Sequence, residues 1–205
     1  VSEGYYAYFW CSNVNNALQA CCLSLDNESA VLSYHDMSGG NSVRCIKDEF
    51  YKQSSSSSAA PSSSAPEGYV DPSTVVKGTM TDERDGQTYK TVTIGTQTWM
   101  AENLNYAYTD VPYEYQGYTS DSASWCYHDN PDSCAKYGRL YTWAVAMDSM
   151  GTWTTNGMGC GEGNTCTPTY PVRGICPEGW HLPTMAELDT LRISAGRQFT
   201  AGKLL

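Results

Sequence analysis

Short runs of β-prone residues, with polar turns between them, fill the first fifty positions of the chain. The runs are YYAYFW, ALQACCLSL, AVLSYHD and NSVRCI, and the segments between them are NVNN, DNES and MSGG. This alternation of strand-forming runs and turn residues is typical of an antiparallel meander. It predicts about four strands between residues 5 and 46, a sheet that is marginal without partners.

A serine tract separates this region from the rest of the chain. Residues 51–74 contain the run QSSSSSAAPSSSAPEG. Ser, Ala and Pro in this proportion bury too little apolar surface to offset the entropy of ordering, so the tract predicts a flexible linker. We call residues 1–50 the N-terminal segment and residues 75–205 the C-terminal segment.

The C-terminal segment opens with a hairpin pattern. Asp85-Gly86 is a strong signal for a tight turn, and a β-rich run extends from Thr88 to Ile94. Gly95 interrupts this run, and residues 97–100 can form another short strand. The pattern therefore predicts neighbouring strands at the start of this segment.

Two helices are predicted further along the C-terminal segment. The first is YGRLYTWAVAMDSM, where apolar residues recur at the spacing of one helical face. The second is PTMAELDTLRI, in which Thr184 is a candidate N-cap and Glu187 completes a capping box. The Gly- and Thr-rich residues 150–174 between them predict a loop.

The charge of the chain excludes some partners. The formal net charge is −10, so a phosphate backbone would be repelled, and nucleic-acid binding is not expected. Adsorption to anionic lipid is disfavoured for the same reason. No run approaches the roughly 20 apolar residues of a membrane span. The chain begins with Val and stops soon after the second predicted helix, so we expect a processed or incomplete product.

Cysteine is the most informative residue type. Nine are present and none forms a C-x-x-C pair, which disfavours a zinc site. Scattered cysteines in an acidic, Ser-rich chain favour disulfides and an oxidising compartment. In the N-terminal segment, Cys11 can bond to Cys21 or to Cys22 across a hairpin, and the odd count leaves at least one thiol without a partner in the chain.

Several long motifs together resemble one family. TMTDERDGQTYKTVTIGTQTWMAENLNY, SWCYHDNPDSCAKYGRLYTWAVAM and GICPEGWHLPTMAELDTL look like the Fibrobacter succinogenes major paralogous domain, in that family's order. YYAYFWCSNVNNA and NSVRCIKD resemble the other end of the same domain. The resemblance implies that residues 1–50 are the C-terminal meander of one copy and residues 75–205 the truncated N-terminal part of a second.

The resemblance also implies a fold and a location. More remotely, GWHLPTMAEL and NSVRC are similar to the formylglycine-generating and C-type lectin-like group. The implied fold is α+β and C-type lectin-like: a twisted, mostly antiparallel sheet with two helices and long disulfide-stapled loops. The family is typically exported in anaerobic fibre-degrading bacteria, often with a lipid anchor. We therefore expect an extracellular or outer-membrane surface location.

Three further disulfides are expected with this resemblance in place. Cys126 with Cys134 and Cys160 with Cys166 are close in sequence, and Cys176 should pair with a closing-strand cysteine of the Cys45 type. A Cys45–Cys176 bond would mean that the two segments fold onto each other. Its absence would favour two separate incomplete domains.

The chemistry-bearing residues give little support for an enzyme. The elbow, zinc-helix and phosphate-loop motifs G-x-S-x-G, H-E-x-x-H and G-x-x-x-x-G-K do not occur. His181 precedes the second helix, and we interpret it as an imidazole hydrogen-bonded in the core rather than a catalytic group. The enzymatic alternative is a formylglycine-generating thiol oxidase, which would use the adjacent Cys21 and Cys22.

Two acidic turns raise the question of Ca²⁺. Asp129, Asn130 and Asp132 offer hard oxygen ligands, although their spacing is not that of an EF-hand. A second acidic cluster lies at the predicted hairpin, in the run DERD at 82–85. The alternative for both is a solvated turn, which the turn chemistry of these residues favours.

Carbohydrate binding is the leading functional hypothesis. Exposed aromatic rings can lie flat against sugars, and the candidates are Tyr113, Tyr115, Tyr118, Trp125 and Trp153. The alternative is that these rings pack as loop core, as we expect for Trp99, Trp143 and Trp180. The sequence thus favours a non-enzymatic surface module of a tandem-repeat protein that contacts plant cell-wall polysaccharide or neighbouring surface domains. The third hypothesis is a spacer without a ligand.

Overall fold

The computed structural model describes residues 6–26, 29–48, 70–71, 74–108, 113–115, 118–120 and 123–195. The strands are β1 Ala7–Val14, β2 Gln19–Leu25, β3 Ala30–Asp36, β4 Ile46–Lys47, β5 Val76–Thr81, β6 Thr88–Ile94, β7 Gln97–Met100, β8 Tyr113–Tyr115, β9 Tyr118–Ser120, β10 Ser124–Trp125, β11 Leu140–Tyr141 and β12 Trp180–His181. The helices are α1 Pro131–Tyr137, α2 Trp143–Ala146 and α3 Met185–Ser194.

Three of the four strands predicted in the N-terminal segment form an antiparallel sheet in the order β1-β2-β3. Because successive side chains of a strand point to opposite faces of the sheet, the two faces pack into different hydrophobic clusters. Trp10 and Cys22 belong to one cluster, and Phe9 and Leu23 belong to the other. The prediction of a four-stranded meander was wrong, because β4 leaves this sheet and pairs with strands of the C-terminal segment.

The largest described sheet joins the two segments. Its strand order is β12-β4-β7-β6-β5, so β4 of the N-terminal segment lies between two strands of the C-terminal segment. Ile46 is paired with His181 on one side and with Trp99 on the other. The two segments therefore fold onto each other in this structure.

Isolated β-bridges also link the three-stranded sheet, through residues 41 and 42, to the C-terminal segment. Phe9 bridges Ser42 in parallel, and Asn41 bridges Tyr141 of β11 in the antiparallel sense. The Trp10 indole N–H donates to the Tyr141 carbonyl at 2.8 Å, and the Trp143 indole N–H donates to the Cys11 carbonyl at 2.8 Å. These buried hydrogen bonds fix the register of one segment on the other.

The predicted hairpin and strands at the start of the C-terminal segment are confirmed. β5 pairs with β6 along its whole length, and β6 turns at Gly95 into β7. Gly95 has φ +62°, a conformation that most side chains avoid. Asp82 and Gln87 close the β5–β6 turn with a backbone hydrogen bond, so the turn around Asp85-Gly86 is longer than a two-residue connection.

The helices correct the sequence expectation. YGRLYTWAVAMDSM does not form one long helix, because Leu140 and Tyr141 pair with β10 and Thr142 caps a new one-turn helix, α2. A third helix, α1, was not predicted. Asn130 is its N-cap and Pro131 occupies its first turn, where the missing N–H costs nothing. The predicted helix α3 and its Thr184–Glu187 capping box are confirmed.

Four disulfides stabilise the described residues. They join Cys11 to Cys21, Cys45 to Cys176, Cys126 to Cys134 and Cys160 to Cys166. Three are local, with sequence separations of 10, 8 and 6, whereas Cys45 and Cys176 are 131 residues apart. Four disulfides are compatible with an oxidising, extracellular compartment.

The described part of the chain contains no helix with the length and apolar character needed to span a bilayer. The assignment of the two segments to neighbouring copies of one domain concerns repeats beyond this fold, and it stays a prediction. What the fold itself provides is a shared sheet and a shared core between residues 6–48 and the C-terminal segment.

Candidate functional site: a polar cleft between the two segments

A cleft of about 330 Å³ opens where the two segments meet. Four pieces of chain line it: Arg44 before β4, the start of β6, the segment after β7, and the end of α1. This volume is at the lower end of the range for small-molecule sites. Its lining is predominantly polar and consists of Arg44, Gln87, Thr88, Tyr89, Ala101, Glu102, Asn103, Asn105, Cys134, Ala135, Lys136, Tyr137 and Gly138.

Arg44 and Asn103 join the two segments at one side of the cleft. The Arg44 Nε donates to Asn103 Oδ1 at 2.7 Å, and Asn103 Nδ2 donates to the Tyr137 carbonyl at 2.8 Å. Burial lowers the pKa of Arg44 to about 10, and the nearby Glu102 carboxylate opposes that shift. The guanidinium therefore remains charged at neutral pH and places a fixed cation at the cleft.

A second group of amides lies beside it. Asn105 Nδ2 donates to Gln87 Oε1 at 3.1 Å, and the Asn105 backbone N–H donates to the Tyr89 hydroxyl at 3.0 Å. Burial raises the pKa of Tyr89 to about 12, so its hydroxyl stays protonated. These bonds hold the amide planes in fixed orientations, which lowers the ordering cost of binding a polar ligand.

Glu102 supplies the carboxylate of the cleft. Its two oxygens accept from the Lys90 backbone N–H at 2.8 Å and from Lys90 Nζ at 3.1 Å. The hydrogen bond from that backbone N–H is the main cause that lowers the pKa of Glu102. The carboxylate is thus ionised at neutral pH and its orientation is held by β6.

Tyr137 gives the cleft an exposed aromatic ring. It is the last residue of α1, and 40% of its surface is accessible. The ammonium group of Lys136 lies 4.7 Å from the ring centroid. Gly138 follows with φ +72°, and a Cβ there would lie within 2.8 Å of Asn103 and Leu104, so glycine is required where α1 ends against the cleft.

The arrangement suits a ligand with many hydroxyl groups. Amides both donate and accept, carboxylates accept, and guanidinium and ammonium groups donate, so a polyol can match the lining at several points. A flat aromatic ring at the rim can cover the C–H face of such a ligand. An apolar ligand would displace water from this polar lining without replacing the hydrogen bonds of that water, at a cost in free energy.

Two of the aromatic residues named from the sequence, Trp125 and Trp153, have described packing partners. Trp153 is half-buried, the Arg84 guanidinium lies 5.2 Å from its ring, and Tyr106 packs edge-on at 5.9 Å. Trp125 packs against Gly40, where a Cβ would overlap the indole. The side chains of Tyr113, Tyr115 and Tyr118 lie outside the described residues. The binding role of the five predicted rings therefore stays a prediction.

The two acidic turns have structural roles in the described contacts. Asn130 Oδ1 accepts from the Asp132 N–H at 3.0 Å and so caps α1, next to Asp129 in the preceding turn. Among the described residues, no three His, Cys, Asp or Glu side chains cluster closely enough to hold a metal ion. The Ca²⁺ site stays a prediction.

The DERD turn contains a buried ion pair that its sequence pattern does not predict. Asp82 is fully buried, and its carboxylate accepts from Arg84 Nε at 2.8 Å and from Arg84 Nη2 at 2.7 Å. The guanidinium also stacks 4.1 Å from the Tyr106 ring and donates to the Ile175 carbonyl at 2.8 Å. We call Asp82, Arg84, Tyr106 and Trp153 the Arg84 cluster. Asp82 is a packing residue rather than a residue of a solvated turn.

His181 is buried and hydrogen-bonded, as predicted. Its Nδ1 lies 2.6 Å from Asp48 Oδ1, and its Nε2 lies 3.0 Å from Glu187 Oε1. Burial alone would lower the pKa of His181, but the two carboxylates outweigh burial and raise it. Because both ring nitrogens face carboxyl oxygens, the imidazolium form can donate a hydrogen bond to each of them.

Trp99, Trp143 and Trp180 are all core residues, as the sequence predicts. Cys22 is the free cysteine among the described residues, and it is buried with its sulfur 3.1 Å from the Ser33 hydroxyl. Burial raises the pKa of the Cys22 thiol, which is the opposite of what an activated thiolate requires. Its neighbour Cys21 is held in the Cys11 disulfide.

The described residues define a mixed α/β protein with mostly antiparallel sheets, three helices and four disulfides. The chain belongs to the Fibrobacter succinogenes major domain family, whose sequence model matches residues 92–202, just over half of the 205 residues. No curated protein and no solved structure matches the chain. Arg44 and the β6 residues of the cleft lie outside the matched range.

Proposed function

We propose that this chain is a non-enzymatic module of an exported cell-surface protein and that it contacts polysaccharide through the polar cleft. The observation that carries the proposal is the lining of the cleft: fixed amides, a carboxylate and a cation beside the exposed ring of Tyr137. Plant cell-wall polysaccharide is the partner we infer, since its sugar rings present hydroxyl groups at their edges and C–H groups on their faces.

The setting we infer for this module follows from several separate features. The disulfides support export, and the family membership supports a surface location with a lipid anchor and tandem copies. A C-type lectin-like architecture is our proposal for the complete domain. It is supported by the position of β4 next to β12, just before the capped helix α3. In such an architecture, loops and strand ends build the binding sites.

A thiol oxidase of the formylglycine-generating type is the alternative. It requires an accessible thiolate, and the two adjacent cysteines of the chain offer a buried thiol with a raised pKa and a disulfide sulfur. These observations favour the binding module over the enzyme.

The proposal is tested by affinity electrophoresis in gels that contain xylan or a soluble cellulose derivative. We expect retardation of the wild-type protein. Tyr137→Ala should weaken binding about fivefold, because losing one stacked ring costs about 1 kcal/mol. Tyr34→Ala is the matched control: Tyr34 is 45% exposed on β3, away from the cleft lining, and its loss should leave retardation unchanged.

Other outcomes discriminate between the hypotheses. Weaker retardation of Trp125→Ala with unchanged Tyr137→Ala would move the site to the aromatic loop and refute the cleft. Unretarded wild-type protein in every gel would favour the spacer hypothesis. Oxidation of a cysteine-containing peptide by the wild-type protein, lost in Cys22→Ser, would favour the enzyme.

A further inference from the structure

The strand pairing of β4 is made with the C-terminal segment. Both strand neighbours of β4, β7 and β12, belong to that segment. The Met100 N–H donates to the Cys45 carbonyl at 3.0 Å, and the Asp48 N–H donates to the Gly179 carbonyl at 2.9 Å. β4 therefore lies between two strands of the C-terminal segment. The main-chain hydrogen bonds that hold β4 there do not require it to be covalently connected to that segment.

The rest of the N-terminal segment adds specificity to this docking. Trp10 is fully buried and donates to Tyr141, and the Ser12 N–H donates to the Pro183 carbonyl at 2.8 Å. Asn13 Oδ1 accepts from the Met185 N–H at 2.7 Å, at the first turn of α3. A segment without Asn13 would remove the acceptor of the Met185 N–H, and a segment without Trp10 would lose the indole hydrogen bond to Tyr141.

The connection between the segments is long enough for β4 to come from the same chain or from a second copy of the chain. Residues 49–69 separate Asp48 from Val70, and a chain of that length spans up to roughly 70 Å when extended. The end of β4 and the start of β5 lie at the same end of the sheet, three strand positions apart, which is roughly 14 Å. The chain is long enough to close on itself or to reach a neighbouring molecule.

We propose that the C-terminal segment also accepts the N-terminal segment of a second copy of this chain, so that copies are linked by exchange of residues 6–48. In the exchanged form, Arg44 of the second copy completes the polar cleft, and Cys45 of the second copy bonds to Cys176. Every contact of the closed form is kept, so exchange adds no strain, and it is the kind of low-cost association that swapped elements produce.

Concentration decides between the closed and the exchanged forms. The flexible linker that the Ser-, Ala- and Pro-rich sequence predicts would give an effective concentration on the order of 1 mM. Closed monomers should dominate at micromolar concentration, and exchange should become comparable when copies refold together near 1 mM. Copies held close on one surface would meet the same condition.

The Cys45–Cys176 bond provides the test, because it is the described disulfide that crosses between the segments. Equal amounts of ¹⁵N-labelled and unlabelled wild-type protein are reduced, unfolded, mixed and refolded with oxidised glutathione. Each pair of thiols loses two protons and two electrons, which convert oxidised glutathione into two reduced molecules. Non-reducing digestion and mass spectrometry then read the labels on each linked peptide.

Half of the exchanged links in an equal mixture join unlike labels, so we expect mixed-label Cys45–Cys176 peptides to rise from about 0.5% of that link at 10 µM to about 25% at 1 mM, given the effective concentration above. The local bonds Cys126–Cys134 and Cys160–Cys166 are internal controls and should carry a single label at both concentrations. A Cys45–Cys176 link with a single label at 1 mM would overturn the proposal. Mixed labels in the local bonds as well would mean random reshuffling and would equally refute specific exchange.

Discussion

Two buried regions of this protein hold charge in contrasting ways. The Arg84 cluster is local: Asp82 and Arg84 are two residues apart, and the aromatic rings of Tyr106 and Trp153 cover the guanidinium. The junction between the segments is assembled from distant residues. We define the junction by the Cys45–Cys176 bond, the Arg44–Asn103 hydrogen bond and the contacts of His181.

The two regions differ in the solution conditions that their contacts require. The Arg84 cluster pairs a carboxylate and a guanidinium within one turn, and its geometry follows from that turn. The junction depends on an oxidised bond and on a histidine, so oxidation and pH both act on it. We therefore expect the fold within the C-terminal segment to be less sensitive to conditions than the attachment of the N-terminal segment.

The largest expected effect is loss of the junction disulfide. The double variant Cys45→Ser/Cys176→Ser should lower the free energy of unfolding by about 5 kcal/mol, because the bond closes a loop of 131 residues. Chemical denaturation with guanidinium measures the change. The matched control Cys160→Ser/Cys166→Ser opens a loop of 6 residues and should cost only about 2 kcal/mol. Equal costs for the two would remove the distinction between junction and local bonds.

The next largest effect is expected in the Arg84 cluster. Asp82→Ala leaves the Arg84 guanidinium, whose side chain is 8% exposed, without its carboxylate. Breaking a buried pair in this way should cost about 3 kcal/mol. Its neighbour Glu83 is exposed, so Glu83→Ala should change stability by less than about 0.5 kcal/mol. A cost for Asp82→Ala no larger than that of its control would show that the ion pair is not structural.

A smaller effect is expected where α3 meets the junction. The Thr184 hydroxyl oxygen accepts from the Glu187 N–H at 3.2 Å, and the same Glu187 carboxylate contacts His181. Thr184→Ala should lower the free energy of unfolding by about 1 kcal/mol through loss of the cap. Thr190→Ala, in the same helix, removes an exposed hydroxyl and serves as the control. Thermal denaturation distinguishes the two variants.

The smallest effect is the pH dependence of the junction. The raised pKa of His181 means that its contribution is complete below the ordinary histidine pKa of about 6.5 and is lost as pH rises through the higher folded value. The lowered pKa of Glu187, which its His181 and Thr184 contacts produce against the effect of burial, gives a contribution that is lost at acid pH. Stability should therefore peak in mildly acidic solution and decline toward alkaline pH.

His181→Gln isolates this pH effect. The difference in unfolding midpoint between wild type and variant should shrink as pH rises through the raised His181 pKa, since the wild-type ring loses its second proton there. His128→Gln is the control, because His128 is exposed next to the α1 cap. A constant difference across the alkaline range would mean that His181 is not charged in the folded protein.

Local signals in the sequence predicted local structure well. The turn at Gly95, the strands on either side of it and the Thr184–Glu187 capping box all depend on neighbouring residues, so the pattern contains them. The strand β4 was assigned to the wrong sheet, because its partners are separated from it by the linker and more than fifty residues. Its hydrophobic pattern predicts a strand, but it does not predict which strands lie next to it.

Local sequence patterns do not predict the cleft either, because its residues meet only in the folded protein. The aromatic composition of the long loop indicated a site there, whereas the cleft is lined by Arg44, Asn103 and Tyr137, which are far apart in the sequence. A run such as AENLNY contains Asn103 and Asn105, but nothing in it indicates that they line a cleft together with Arg44. The buried pair of Asp82 and Arg84 was hidden for a different reason: the DERD run has the composition of a solvated turn, and only burial distinguishes it.

Peptide mapping of the native protein under non-reducing conditions tests the central claim most directly, namely that residues 6–48 complete the fold of the C-terminal segment. We expect a linked Cys45–Cys176 peptide together with the three local links, and a Cys22 thiol that is alkylated only after unfolding. A Cys176 thiol that is alkylated in the native protein, or that is bonded to any other cysteine, would contradict the account.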